Sequence, residues 1–164
     1  MFKSIEAIEK AGYKGFTTTK DLAISECKDV PKVKGIYFVL NTIEKCHFLT
    51  ESVGGHFKKK NPTVALSELK SNWVEDTIVI YIGQAGGGKS NATLYSRLKQ
   101  YMKFGQGQPV GHWGGRLIWQ LRNHKDLLIC WKTTPEEDPR LIEKNLIHDF
   151  TKLYSKRPYA NLRG

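Results

Sequence analysis

The chain has 164 residues, a mass of 18.7 kDa and a formal net charge of +10, which matches one compact domain and excludes a second full one. Hydrophobic residues make up 40% and charged residues 26%, the proportions of a packed core rather than of a disordered or fibrous chain. No apolar run is long enough to cross a bilayer, and residues 1–6 lack a signal peptide's apolar stretch, so a cytoplasmic protein without membrane contact is expected.

In chain order, residues 4–11 read as a helix that Gly12 and Gly15 end, and an irregular segment then leads to Pro31. Residues 35–41 read as a buried strand with Ile36, Phe38 and Leu40 on one face and Tyr37 and Val39 on the other. Residues 78–83 repeat the pattern, with the isoleucines on one face and Val79 and Tyr81 on the other. Paired in register, the two strands carry both tyrosines on a common face. Residues 42–76 are too many for a hairpin loop, so they form an insertion with structure of its own, including the basic turn Lys58-Lys59-Lys60-Asn61-Pro62 and a helix over 64–73.

After a glycine-rich turn, residues 92–104 form an amphipathic helix through Leu94, Leu98, Tyr101 and Met102, and Arg97 falls inside its apolar arc. The loop His112-Trp113-Gly114-Gly115-Arg116 leads to a short helical 117–121, and 127–133 is a third strand. The last helix opens on Asp138 and Pro139. Its apolar residues Ile142, Leu146, Ile147, Phe150, Leu153 and Tyr154 cover an arc of about 140°, in which Glu143 is the one polar member. A carboxylate facing a core is costly without a cation beside it, so Glu143 requires a partner.

Charge is distributed unevenly. Residues 1–76 hold 12 basic and 10 acidic side chains, residues 135–164 hold 6 and 5, but residues 77–134 hold 8 basic residues against the single acid Asp126. A stretch so poor in carboxylates suits a surface that meets a polyphosphate backbone. Cys27, Cys46 and Cys130 are odd in number and form no C-x-x-C pair, so neither a zinc site nor a disulfide-linked partner is expected.

Gly35-Ile36-Tyr37 and Tyr81-Ile82-Gly83 spell the two signatures of the GIY-YIG nucleases, and the chain resembles that family over residues 35–161. Arg97 on the following helix, Glu143 on a later helix and Asn161 near the end match the family's remaining positions, and Tyr101 matches one where members carry Tyr or His. The resemblance implies an α/β domain with a small three-stranded antiparallel sheet flanked by helices, occupying residues 1–164 as a single unit. Residues 1–34 are an extension of the family pattern, and the 42–76 insertion replaces its short hairpin.

The activity implied is divalent-metal-dependent endonuclease cleavage of DNA. Glu143 would hold Mg²⁺ or Mn²⁺, Arg97 would offset charge on the phosphoryl oxygens, and Tyr37 or Tyr81 would act as general base. Tyr81 is favoured, because the charge of Arg97 could lower its pKa. Asn161 would orient Glu143 or a metal-bound water, and Lys89, Tyr101, His112 and Arg116 are candidate substrate contacts. Two other readings stand beside this one: a non-catalytic nucleic-acid-binding module on the same scaffold, and a P-loop nucleotide-binding protein. The second arises because residues 83–90 fit G-x-x-x-x-G-K-[ST] between a strand and a helix. No later strand ends in an acid to hold its metal, however, and 74 residues after Ser90 are few for a parallel sheet.

Overall fold

The apolar run after Gly35 and the run before Gly83 become two neighbouring strands, β2 (Gly35–Leu40) and β3 (Val79–Ala85), paired antiparallel. The structure is a computed structural model that describes residues 1–162, so the last two residues of the expected 1–164 unit lie outside it. Strand β4 (Leu128–Thr133) pairs antiparallel with the other side of β2. Beyond β4 lies β1 (Lys14–Thr18), so the sheet has four strands in the order β1-β4-β2-β3 rather than the expected three.

The additional strand was hidden by its glycine, Gly15. Gly15 has φ +101, and its missing Cβ leaves room for the Trp131 ring, whose atoms would stand 2.6 Å from a side chain there. The register then slips between Gly15 and Thr17. Glycine in this strand therefore marks a bulge and a close approach rather than an end. Thr18 next caps a helix that periodicity also concealed, α2 (Thr19–Ile24), by accepting a hydrogen bond from the Asp21 amide.

Helices cover both faces of the sheet. Ile36, Phe38, Leu40 and Ile82 pack with Ile8 of α1 (Ile5–Lys10) and with Ile147 and Phe150 of α5 (Pro139–Tyr154). On the opposite face Tyr37, Val39 and Tyr81 pack with Leu22 of α2 and with Leu94, Leu98 and Tyr101 of α4 (Leu94–Gly105). The alternation predicted for β2 holds. That of β3 breaks, because the register shifts opposite Val39 and Leu40 and sends Val79 to the face of Ile82 and Ile80 to that of Tyr81. On α5, Leu153 leaves the apolar arc and is 67% exposed.

The insertion holds a 3₁₀ turn at Phe57–Lys59 and α3 (Leu66–Asn72), and Phe48 bridges to Leu121. Gln120, fully buried at the end of the 3₁₀ segment Arg116–Gln120, fastens it to the body. Its Nε2 donates to the carbonyls of Leu49 and Val64 at 3.0 and 2.8 Å, and its Oε1 accepts from the Val64 amide at 2.9 Å. The three cysteines are free. Among the described residues no helix is long and apolar enough to cross a membrane.

Candidate active site

The sheet register sets the site. Tyr37 pairs with Gly83 and Val39 with Tyr81, so the two tyrosines are diagonal neighbours on one face, with ring centroids 6.0 Å apart. Gly83 has to be glycine because the Tyr37 ring lies where its side chain would project. Tyr101 joins from α4, at 6.2 Å from the Tyr37 ring and 5.8 Å from that of Tyr81. Its hydroxyl donates to the Gly115 carbonyl at 2.6 Å, so this candidate substrate contact is fully buried and engaged with the scaffold.

His112 completes the cluster from below its loop. Its ring stacks on Tyr101 at 3.7 Å between centroids, and its Nε2 lies 3.4 Å from the Tyr37 hydroxyl. The residue is fully buried and its Nδ1 has no hydrogen-bond partner. Burial and the charge of Arg97 hold the imidazole well below its usual pKa, so it stands neutral against Tyr37. Neither a solvated loop position nor an exposed contact describes it. Stacking with Tyr101 draws it into the core, which loop composition does not reveal.

Arg97 is the electrostatic centre. Thr93 caps α4 with a reciprocal Ser96 bond, and one turn later Arg97 is half-buried. Its charge acts on Tyr37, Tyr81, Tyr101, His112 and Glu143 together. The expected lowering of the Tyr81 pKa is nevertheless outweighed. Burial pushes the hydroxyl up to about 12, Glu143 adds to the rise, and Arg97 only moderates it. Tyr37 and Tyr101 are likewise raised well above the usual phenol value, again chiefly by burial.

Glu143 projects from the second turn of α5, whose start Asp138 and Pro139 define as expected. It is half-buried and makes no hydrogen bond or ion pair among the described residues. Burial raises its carboxyl to about 7, against the opposing charges of Arg97 and Arg157. Arg157, which sequence did not single out, follows the helix cap and belongs to no periodic pattern. A cavity of about 840 Å³ opens beside Glu143.

Asn161 makes no hydrogen bond to Glu143. Its Oδ1 accepts from the Ile82 amide at 2.9 Å and its Nδ2 donates to the Ile82 carbonyl at 2.7 Å, so it extends the free edge of β3 in place of a fifth strand. Arg116 is turned onto Trp113, with its guanidinium 4.5 Å from the ring and Nη1 donating to the Trp113 carbonyl. Lys89 is exposed on the glycine-rich loop. Two of that loop's amides are already used: Gly87 donates to the Gln84 side chain and Gly88 to Asp138. Helix α4 begins only at Leu94, and the sheet is antiparallel throughout, so neither the phosphate cradle nor the parallel sheet of a P-loop protein is present.

Among the described residues no three His, Cys, Asp or Glu side chains cluster; of the two carboxylates lining the cavity, Asp138 is engaged by the Gly88 and Arg140 amides, which leaves Glu143 as the carboxylate to hold a cation. The donor suits Mg²⁺ or Mn²⁺: it is a hard oxygen, it lacks a hydrogen-bond or ion-pair partner, and the adjoining cavity has room for the waters such ions retain. A scan against protein-family models, a search of curated proteins and a search of solved structures each return no significant match.

Proposed function

We propose that this chain is a divalent-metal-dependent endonuclease of the GIY-YIG type, hydrolysing DNA phosphodiester bonds. The observation that carries the reading is the pairing of Tyr37 and Tyr81, with ring centroids 6.0 Å apart and His112 Nε2 3.4 Å from the Tyr37 hydroxyl, in the field of Arg97, whose charge also favours the ionised form of Glu143 on a third element. Bland roles for these residues do not require such convergence.

In this mechanism Tyr81, as phenolate, removes the proton from the attacking water, while Tyr37, held by His112, positions the water or phosphate. Arg97 neutralises charge growing on the phosphoryl oxygens in a site of low polarity. A Mg²⁺ or Mn²⁺ ion held by Glu143 would stabilise the phosphate and the leaving oxygen and cancel the carboxylate's upward pull on Tyr81. Lys89 at the loop tip meets backbone phosphate from outside.

The test is cleavage of plasmid, branched and single-stranded DNA with Mg²⁺, Mn²⁺ or EDTA. Cleavage in either metal, none in EDTA and none from a folded Glu143→Ala variant is expected; a variant that nicks at the wild-type rate removes the assignment. The burial of both tyrosines favours a second reading, a non-catalytic DNA-binding module. Tight binding without cleavage in either metal selects it.

A further inference from the structure

Charge counted along the chain points to residues 77–134, yet the cavity beside Glu143 is walled by a later segment. Arg140, Lys144 and His148 recur at four-residue steps along α5 and line that cavity together with Glu143. Each step rises about 6 Å, so the three form one row along the helix. Ser155, at φ 58, ends α5 and turns the chain so that Arg157 closes the far side. Arg157 Nε donates to the Asn161 carbonyl at 3.0 Å, and the Asn161 side chain is clamped to Ile82, so this guanidinium is tied to the sheet edge.

Arg140, Lys144 and Arg157 have no ion-pair partner among the described residues. Of the acids in the cavity, Asp138 is engaged by the amides of Arg140 and Gly88, and Glu143 stands open. A row of unpaired cations beside one open carboxylate suits an anion with repeated, regularly spaced charges. A small anion would need a single convergent cluster, and an acidic peptide would gain nothing from Glu143.

We infer that Arg140, Lys144 and Arg157 form a track on the α5 face that carries the DNA backbone past Glu143, with Arg157 anchoring the phosphate next to the one cleaved. The identity of the polymer rests on the nuclease reading. The track itself does not depend on catalysis.

The test is binding of a short fluorescein-labelled duplex, followed by anisotropy in EDTA across a series of KCl concentrations. Each lost phosphate contact reduces the log–log salt slope by about 0.9. Arg140→Gln/Lys144→Gln is expected to reduce it by about 1.8, and addition of Arg157→Gln by about 0.9 more. The charge-preserving Arg140→Lys/Lys144→Arg is expected to keep the wild-type slope, as is a Gln triple at Lys58, Lys59 and Lys60. An unchanged slope in the α5 triple overturns the track, and if the wild type still cleaves through Glu143 the nuclease reading survives. A reduced slope in a protein that never cleaves supports the track and removes the nuclease reading. Wild-type protein that does not bind the duplex overturns both.

Discussion

Glu143 illustrates how much one carboxyl can couple. Burial raises its folded-state pKa from 4.5 to about 7, so between those values the native state holds a proton that the unfolded chain has released. Its stabilising effect is full below about pH 4.5 and is lost as pH rises through about 7. Glu143→Gln is expected to flatten this window, gaining about 1–2 kcal/mol over wild type near pH 8 and little near pH 4, by urea unfolding; the figure allows for a carboxyl partly open to solvent. Cation binding needs the ionised carboxylate, so the acid limb of the cleavage rate should begin near pH 7 and move down as Mg²⁺ is raised. A second rise at high pH, set by ionisation of Tyr81, is expected in addition. Tyr81→Phe preserves the ring and removes the hydroxyl, so single-turnover cleavage should fall at least about 100-fold with unchanged duplex affinity, while Tyr37→Phe should fall less. Full wild-type activity in both variants, with loss in His112→Ala, would move the base to His112.

At the scale of elements, the edge of β3 is finished by a side chain. The Asn161 amide makes both bonds that a neighbouring strand would make at Ile82, and the Ala160 amide donates to the Ile80 carbonyl at 2.8 Å. Asn161→Ala leaves a buried N–H and C=O of Ile82 unpaired, at a cost of about 2–3 kcal/mol. It also frees the turn that holds Arg157. Cleavage and unfolding stability are therefore expected to fall together, measured as rate and urea midpoint on the same preparations. Lost cleavage at full stability would instead assign Asn161 to the metal or its water.

Across the whole molecule, the insertion is joined to the sheet body rather than hanging from it. Gln120 supplies three hydrogen bonds to Leu49 and Val64, and Phe48 and Trp73 stack around Tyr159. Gln120→Leu keeps volume but leaves the Val64 amide and two carbonyls buried without partners. A loss of about 2–4 kcal/mol is expected, with faster proteolysis within residues 42–76 as the second readout. The insertion thereby braces the segment that carries His112 and Gly115 behind the tyrosines.

Local order determined a great deal by itself. The strands of Tyr37 and Tyr81, the helix of Arg97, the capped start of α5 and the oddity of Glu143 in an apolar arc all follow from period-two and period-3.6 patterns, which nearby residues alone express. Tertiary structure decided the rest. Strand β1 was concealed because its Gly15 answers to Trp131, more than a hundred residues away, and the β3 face pattern broke because a bulge is a property of two strands at once. His112 entered the core through a stack on Tyr101, Asn161 turned to Ile82 instead of Glu143, and Arg157 came to Glu143 from beyond a helix cap. Tyrosine acidity likewise depended on burial that sequence cannot measure, and there desolvation outweighed the nearby arginine. Periodicity records which face of an element is buried; only the packed chain sets what each buried group meets.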